Sequence, residues 1–96
     1  MRPRRFVISP GFDRALRRLT AAERIATQEA VRHFRDRTAE NALRIERKSG
    51  LLGIWAFRVN NDLRVFFLQR TSSDGRYAEL LHVGHHDDYR TIKRKV

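Results

Sequence analysis

The sequence predicts an α+β domain, with a short N-terminal strand, two helices packed on one face of an antiparallel β-meander, and a short C-terminal segment. Three observations carry that expectation. Apolar residues recur at helical spacing in the first half of the chain, they alternate with period two from Ile54 onward, and turn-forming clusters cut the alternating half into strands. At 96 residues the chain makes one domain over 1–96, with no linker and no internal repeat.

Arg5-Phe6-Val7-Ile8 is a short apolar run stopped by Ser9-Pro10-Gly11, which reads as a brief first strand. Ser9 can cap and Pro10 can open a helix whose Phe12, Ala15, Leu16 and Leu19 share one face. Thr20-Ala21-Ala22-Glu23 has the spacing of a capping box, and Ile25, Ala26, Ala30 and Phe34 then mark one face of a longer helix reaching about Arg37. Between Thr38 and Gly53 the pattern weakens to a loop with at most a turn of helix, anchored by Leu43 and Ile45 and made basic by Arg44, Arg47 and Lys48. Strands follow over Ile54 to Val59, Leu63 to Gln69 and about Tyr77 to Val83, separated by Asn60-Asn61-Asp62 and by Thr71-Ser72-Ser73-Asp74-Gly75. The segment from Tyr89 to Val96 is too short and too basic to join a core.

The chain has no cysteine, which excludes disulfides and thiolate metal sites and fits a reducing compartment. No apolar run is long enough for a signal peptide or a membrane span, so the expected location is cytoplasmic. Twenty-one Lys and Arg against eleven Asp and Glu leave a formal charge of +10, more than solubility asks of a small domain. The partner is therefore anionic: nucleic acid, an acidic protein or an anionic membrane surface. Arginine outnumbers lysine, which favours bidentate recognition of phosphate or carboxylate.

The register of the central hairpin follows from its side chains, because a slip of one residue sends every side chain to the other face. A three-residue loop at Asn60-Asn61-Asp62 places Trp55, Phe57, Val59, Leu63, Val65 and Phe67 on one apolar face. A two-residue loop would put Arg64 among the aromatics. The three-residue loop makes Arg58 and Arg64 direct cross-strand neighbours beside Ala56 and Phe66, where like charges oppose pairing by a few tenths to about 1 kcal/mol. Two guanidinium groups held abreast form a cradle for one phosphate, which would relieve that repulsion; alternatively both splay into water.

The segments "SGLLGIWAFRVNNDLRVFF" and "LLHVGHHDDYR", with the order strand, helix, helix, meander, resemble the RelE/ParE superfamily of bacterial toxin–antitoxin systems. The first is similar to that family's Gly-x-Trp-x-x-Arg-Val, hairpin turn, Tyr-Arg-Val-x-Phe pattern, and the second to its last strand with Gly-His-Arg and a late tyrosine. The resemblance implies one of two activities, ribosome-dependent cleavage of messenger RNA in the RelE branch or inhibition of DNA gyrase in the ParE branch, and an inactive relative that only binds antitoxin is the other alternative. It implies a small acidic antitoxin as partner, possible toxin–antitoxin hetero-oligomers, mRNA and the ribosome as further partners of a RelE-like chain, and no membrane. Carried over, Arg64 matches the arginine opening the third strand of the family, Arg58 lies near its basic positions, His85 lies at its Gly-His step and Tyr89 matches its tyrosine. The chain departs from the pattern in carrying Trp55 and Phe57 where some members have lysines, and Leu63 in place of a tyrosine.

Metal-free RNA cleavage uses the ribose 2′-hydroxyl as nucleophile, with a base to remove its proton, an acid for the leaving 5′-oxygen and cations around the phosphorane. Arg58 and Arg64 suit the phosphorane, His85 or His86 suits proton transfer, and Tyr89 suits stacking on a base or orienting the hydroxyl. Arg44, Arg47, Lys48, Arg90, Lys93 and Arg94 are the further candidates for RNA contact. The cluster His82, His85, His86, Asp87 and Asp88 contains metal-ligand types, but strand alternation makes His82 a cross-face or core residue and no second cluster completes a site, so neither metal nor other cofactor is expected. Asp87 and Asp88 equally suit pairing with Arg90 or with arginines on the sheet.

Overall fold

The structure, a computed structural model, describes residues 2–49, 53–85, 88 and 92. Its elements run β1 (Phe6–Ile8), α1 (Pro10–Arg18), α2 (Ala21–Asp36), α3 (Glu40–Leu43), β2 (Glu46–Ser49), β3 (Ile54–Arg58), β4 (Leu63–Ser72) and β5 (Gly75–His85). The strands form one sheet in the order β1-β5-β4-β3-β2. The expected meander β3-β4-β5 is its antiparallel centre, and β1 adds to β5 in parallel, so the sheet is mixed. Among the described residues no helix is long and apolar enough to cross a membrane.

The helix starts follow the local chemistry read from the sequence. The Ser9 hydroxyl accepts from the Phe12 amide at 3.2 Å, with Pro10 opening α1. At α2 the box is reciprocal: Thr20 Oγ1 accepts from the Glu23 amide at 3.1 Å and Glu23 Oε1 accepts from the Thr20 amide at 2.9 Å. These bonds satisfy amide groups that an uncapped helix leaves without partners. The buried stripe of α2 differs from the expected one. Ala30 and Phe34 are buried as expected, but Ile25 is 67% exposed and Thr27 is buried in its stead. Thr27 enters the core because its hydroxyl donates to the Glu23 carbonyl at 2.8 Å, so no polar group is left unpaired.

The segment expected as a loop contains a strand. β2 reads Glu-Arg-Lys-Ser, with no apolar alternation to announce it, because it is the sheet's edge, a position that charged residues commonly occupy. It pairs with β3 through Glu46 opposite Ala56 and Arg47 opposite Trp55, with an irregularity between Arg47 and Ser49. Leu43 is buried and Ile45 packs on the core, as anticipated.

The main core lies between the helices and one sheet face. Phe34 of α2 stacks on Phe57 with centroids 4.5 Å apart and meets Phe67 at 5.1 Å. Phe12, Val65, Leu80 and Val83 complete the layer. The opposite face has its own cluster, Ile54, Ala56, Phe66 and Leu68, with Leu81 and Ile92 packed against it. Ile92 thus gives the terminal segment a core contact that its basic composition concealed.

The N-terminal arm is tied down by Arg4, whose guanidinium lies 4.7 Å over the Phe34 ring, donates to the Phe34 carbonyl at 2.9 Å and pairs with Glu40 at 2.6 Å. That hydrogen bond, the main cause, holds the Glu40 carboxyl below the usual carboxylate range against the opposing effect of burial.

Loss of the α2 capping box tests this local account. Thr20→Ala should lower the unfolding free energy by about 1 kcal/mol in urea titration with an unchanged denaturant slope.

Candidate anion-binding site

The hairpin has the register deduced from its side chains. Arg58 pairs with Arg64, Phe57 with Val65, Ala56 with Phe66 and Trp55 with Phe67, and the Val59 amide donates to the Leu63 carbonyl at 2.9 Å. The loop is held by Asn60, whose Oδ1 accepts from the amides of Asp62 and Leu63, each at 2.9 Å. Phe57, Val65 and Phe67 face the helices, so Arg58 and Arg64 stand side by side on the other face, both half-buried.

Both guanidinium groups turn toward the hairpin loop. Arg64 Nη1 donates to the Asn60 carbonyl at 2.7 Å and to the Leu63 carbonyl at 3.0 Å; Arg58 Nε donates to the same Asn60 carbonyl at 3.3 Å, and its Nη2 donates to Asn61 Oδ1. Among the described residues no carboxylate forms an ion pair with either. Burial and, after it, the neighbouring Arg58 push the Arg64 pKa down from its ordinary value. Two cations sharing one neutral carbonyl oxygen are under-neutralised, and an oxyanion between them would supply the missing charge.

The same face brings in further charge. Glu46 of β2 joins the row Glu46, Ala56, Phe66, His82 across four strands. Lys48 pairs with Glu46 at 2.7 Å, and this hydrogen bond is the chief reason the Glu46 carboxyl titrates below its usual range, with Arg64 and Arg44 adding to it. Arg44, in a left-handed conformation after α3, joins Arg58, Asn60 and Asn61 around a shallow depression of about 610 Å³. Arg47 does not come to this face. Its guanidinium lies 5.3 Å from the Trp55 ring, with which it pairs in register, on the helix side of the sheet. Trp55 and Phe57 also face that side, so their apolar character removes no cation from the arginine face.

The histidines are arranged differently from the expectation. Arg64 pairs with Gly84, while His85 pairs with Leu63 and so has the opposite parity from the arginines. His85 is exposed. His82, expected to be cross-face or core, is opposite Phe66 on the arginine side. The cause is a β-bulge: Phe66 pairs with His82 but Phe67 with Leu80, so Leu81 is an extra residue that reverses the alternation. His82 stacks on Phe66 with centroids 6.1 Å apart, and its Nε2 is 3.2 Å from Asp88 Oδ2. Neither Glu46 nor His82 was recognised from sequence as part of this face. His86, Tyr89, Arg90, Lys93 and Arg94 lie outside the described residues. A separate groove of about 480 Å³, rimmed by Arg2, Arg4, Arg5, Arg37 and Arg76, opens on the helix side near the β4–β5 turn and contains none of the candidate residues.

The pair makes a measurable claim. Arg58→Gln should leave unfolding stability in chloride buffer unchanged or raise it by up to about 1 kcal/mol, since a like-charge cross-strand pair is removed. Added inorganic phosphate should stabilise the wild-type chain more than this variant in the same urea titration.

Several solved structures share the fold. The YoeB/ParE toxin from Agrobacterium tumefaciens has a TM-score of 0.61 at 17% identity, covering 85% of this chain and 98% of its own. The toxin–antitoxin complex RelBE2 from Mycobacterium tuberculosis gives 0.56 at 20% identity, covering 88% and 99%. The archaeal RelE–RelB complex from Pyrococcus horikoshii OT3 gives 0.61 at 15% identity, covering 88% and 97%. No family model and no curated protein matches the sequence. With the strand order and the hairpin register in place, these likenesses show that the chain has the fold of the RelE/ParE toxins.

Proposed function

We propose that this chain is the toxin of a type II toxin–antitoxin pair and acts as a ribosome-dependent endoribonuclease, cleaving messenger RNA by metal-independent attack of the 2′-hydroxyl. The observation that carries the reading is the Arg58–Arg64 pair: two half-buried cations abreast on one sheet face, bonded to a carbonyl and to no carboxylate among the described residues. A phosphodiester is the anion that such a pair fits, and cations already in place cost no reorganisation when charge develops on the phosphorane. Arg44 and Lys48 extend the positive surface along the same edge for the flanking phosphates, with Arg90, Lys93 and Arg94 of the terminal segment as further candidates. Tyr89 remains the candidate for stacking on a base.

The charge of +10 also suits a small acidic antitoxin, consistent with two of the neighbours being toxin–antitoxin complexes. Such a partner would neutralise the toxin by occupying the cationic surface.

Induction in growing bacteria, followed by primer extension on transcripts, tests the proposal. The expected result is growth arrest with codon-phased cuts. Arg64→Ala, shown to be folded by circular dichroism, should restore growth and lower cleavage by about 100-fold, the scale of losing one preorganised stabilising group. Intact transcripts accompanied by DNA-damage signalling would reject the nuclease and identify gyrase inhibition. A folded Arg64→Ala chain that cleaves normally would reject the arginine site.

A further inference from the structure

Building on the nuclease reading, we propose that His82 is the general base that takes the 2′-hydroxyl proton, and that Asp88 is its positioning residue. The proposal rests on how these side chains are held. Asp88 Oδ2 lies 3.2 Å from His82 Nε2 and also accepts the His85 backbone amide at 3.1 Å, so the carboxylate is fixed by the strand before it reaches the imidazole. The His82 ring is held from below by its stack on Phe66.

Gly84 makes room for the arrangement. A Cβ at this buried position would collide with the Asp88 carboxylate and come within 2.7 Å of His82 Nε2. The same glycine is the register partner of Arg64, which makes His82 a diagonal neighbour of Arg64, about 7–8 Å away between backbones and within reach of long side chains. His82 and Asp88 are 29% and 34% exposed, so the dyad is supported by the fold and open to a substrate.

The hydrogen bond decides which nitrogen acts. With Asp88 accepting from Nε2–H, the neutral ring keeps its lone pair on Nδ1, which has no partner among the described residues. In the proposed step Nδ1 takes the proton of the 2′-hydroxyl as its oxygen bonds to phosphorus. The phosphorus–O5′ bond breaks, a water protonates the leaving oxygen and the hydroxide so formed takes the proton back from the His82 imidazolium, and the products are a 2′,3′-cyclic phosphate and a 5′-hydroxyl. Asp88 stabilises the imidazolium formed, and Arg58 and Arg64 hold the phosphorane. Among the described residues this face also carries Glu46 and Lys48 of β2, which pair with each other, and Arg70 and Glu79 further along β4 and β5, which likewise pair.

The test is single-turnover cleavage of a defined messenger RNA on purified bacterial ribosomes. His82→Ala and the bulkier His82→Gln should lose about 100-fold in kcat with little change in KM. Added imidazole should restore part of the His82→Ala rate. Asp88→Asn should lower kcat by a smaller factor, again with KM unchanged. Urea titration of each variant establishes that it is folded. A folded His82 variant with wild-type kcat would overturn the assignment and leave the nuclease intact. So would loss confined to KM or to stability without imidazole rescue, which would make the dyad a latch for the terminal segment. A wild-type chain that cuts nothing would overturn the nuclease reading and this assignment together.

Discussion

The register of the β3–β4 hairpin is the constraint from which the rest of the site follows. Phe57, Val65 and Phe67 face Phe34 and the helices, and a one-residue slip would turn these side chains out of the core. Each is worth about 1.5–3 kcal/mol of burial, against at most about 1 kcal/mol of repulsion between Arg58 and Arg64. The core wins, and the arginines meet because the aromatics must be buried. The register fixes where positions 58 and 64 stand but does not demand arginine at both, since a glutamate at either would turn repulsion into an ion pair. The paired charge is therefore a property of the surface, added to a fold that neither needs it nor is broken by it.

The parts of this molecule that were legible in the sequence are those with a local cause. Ser9, Thr20 and Glu23 announce helix starts through bonds that span three residues, and the period-two run around Asn60 fixes the hairpin through its own alternation. The structure departs from expectation where the cause is non-local. β2 has no hydrophobic signature because only its backbone is needed at the sheet edge. Ile25 is exposed and Thr27 buried because a backbone carbonyl one turn earlier satisfies the threonine. His82 changes sides because Leu81 is an added residue in β5, and a single insertion reverses a parity argument without leaving any mark in composition. Strict alternation gave His82 the face of Leu80; one signal against it was Val83, apolar and buried, at the position after the histidine.

Much of the net charge is already committed to building the domain. Arg4 holds Phe34 and Glu40, Arg5 donates to the Asp74 carbonyl, Arg37 donates to the Arg2 carbonyl, and Arg70 pairs with Glu79. These contacts tie the chain's beginning to the end of α2 and to the β4–β5 turn. Arg58 and Arg64 differ in that, among the described residues, they bond only to their own hairpin, so their engagement with an incoming anion leaves the long-range ties untouched.

β1 pairs in parallel with β5, distant from it in sequence, and its side chains Val7 and Ile8 remain about half exposed even there. During synthesis this strand is made well before its hydrogen-bonding partner, so the sheet cannot close until β5 has left the exit tunnel. Until then nascent chains carry an unpaired apolar strand, and completion of the sheet is coupled to the arrival of the segment bearing His82.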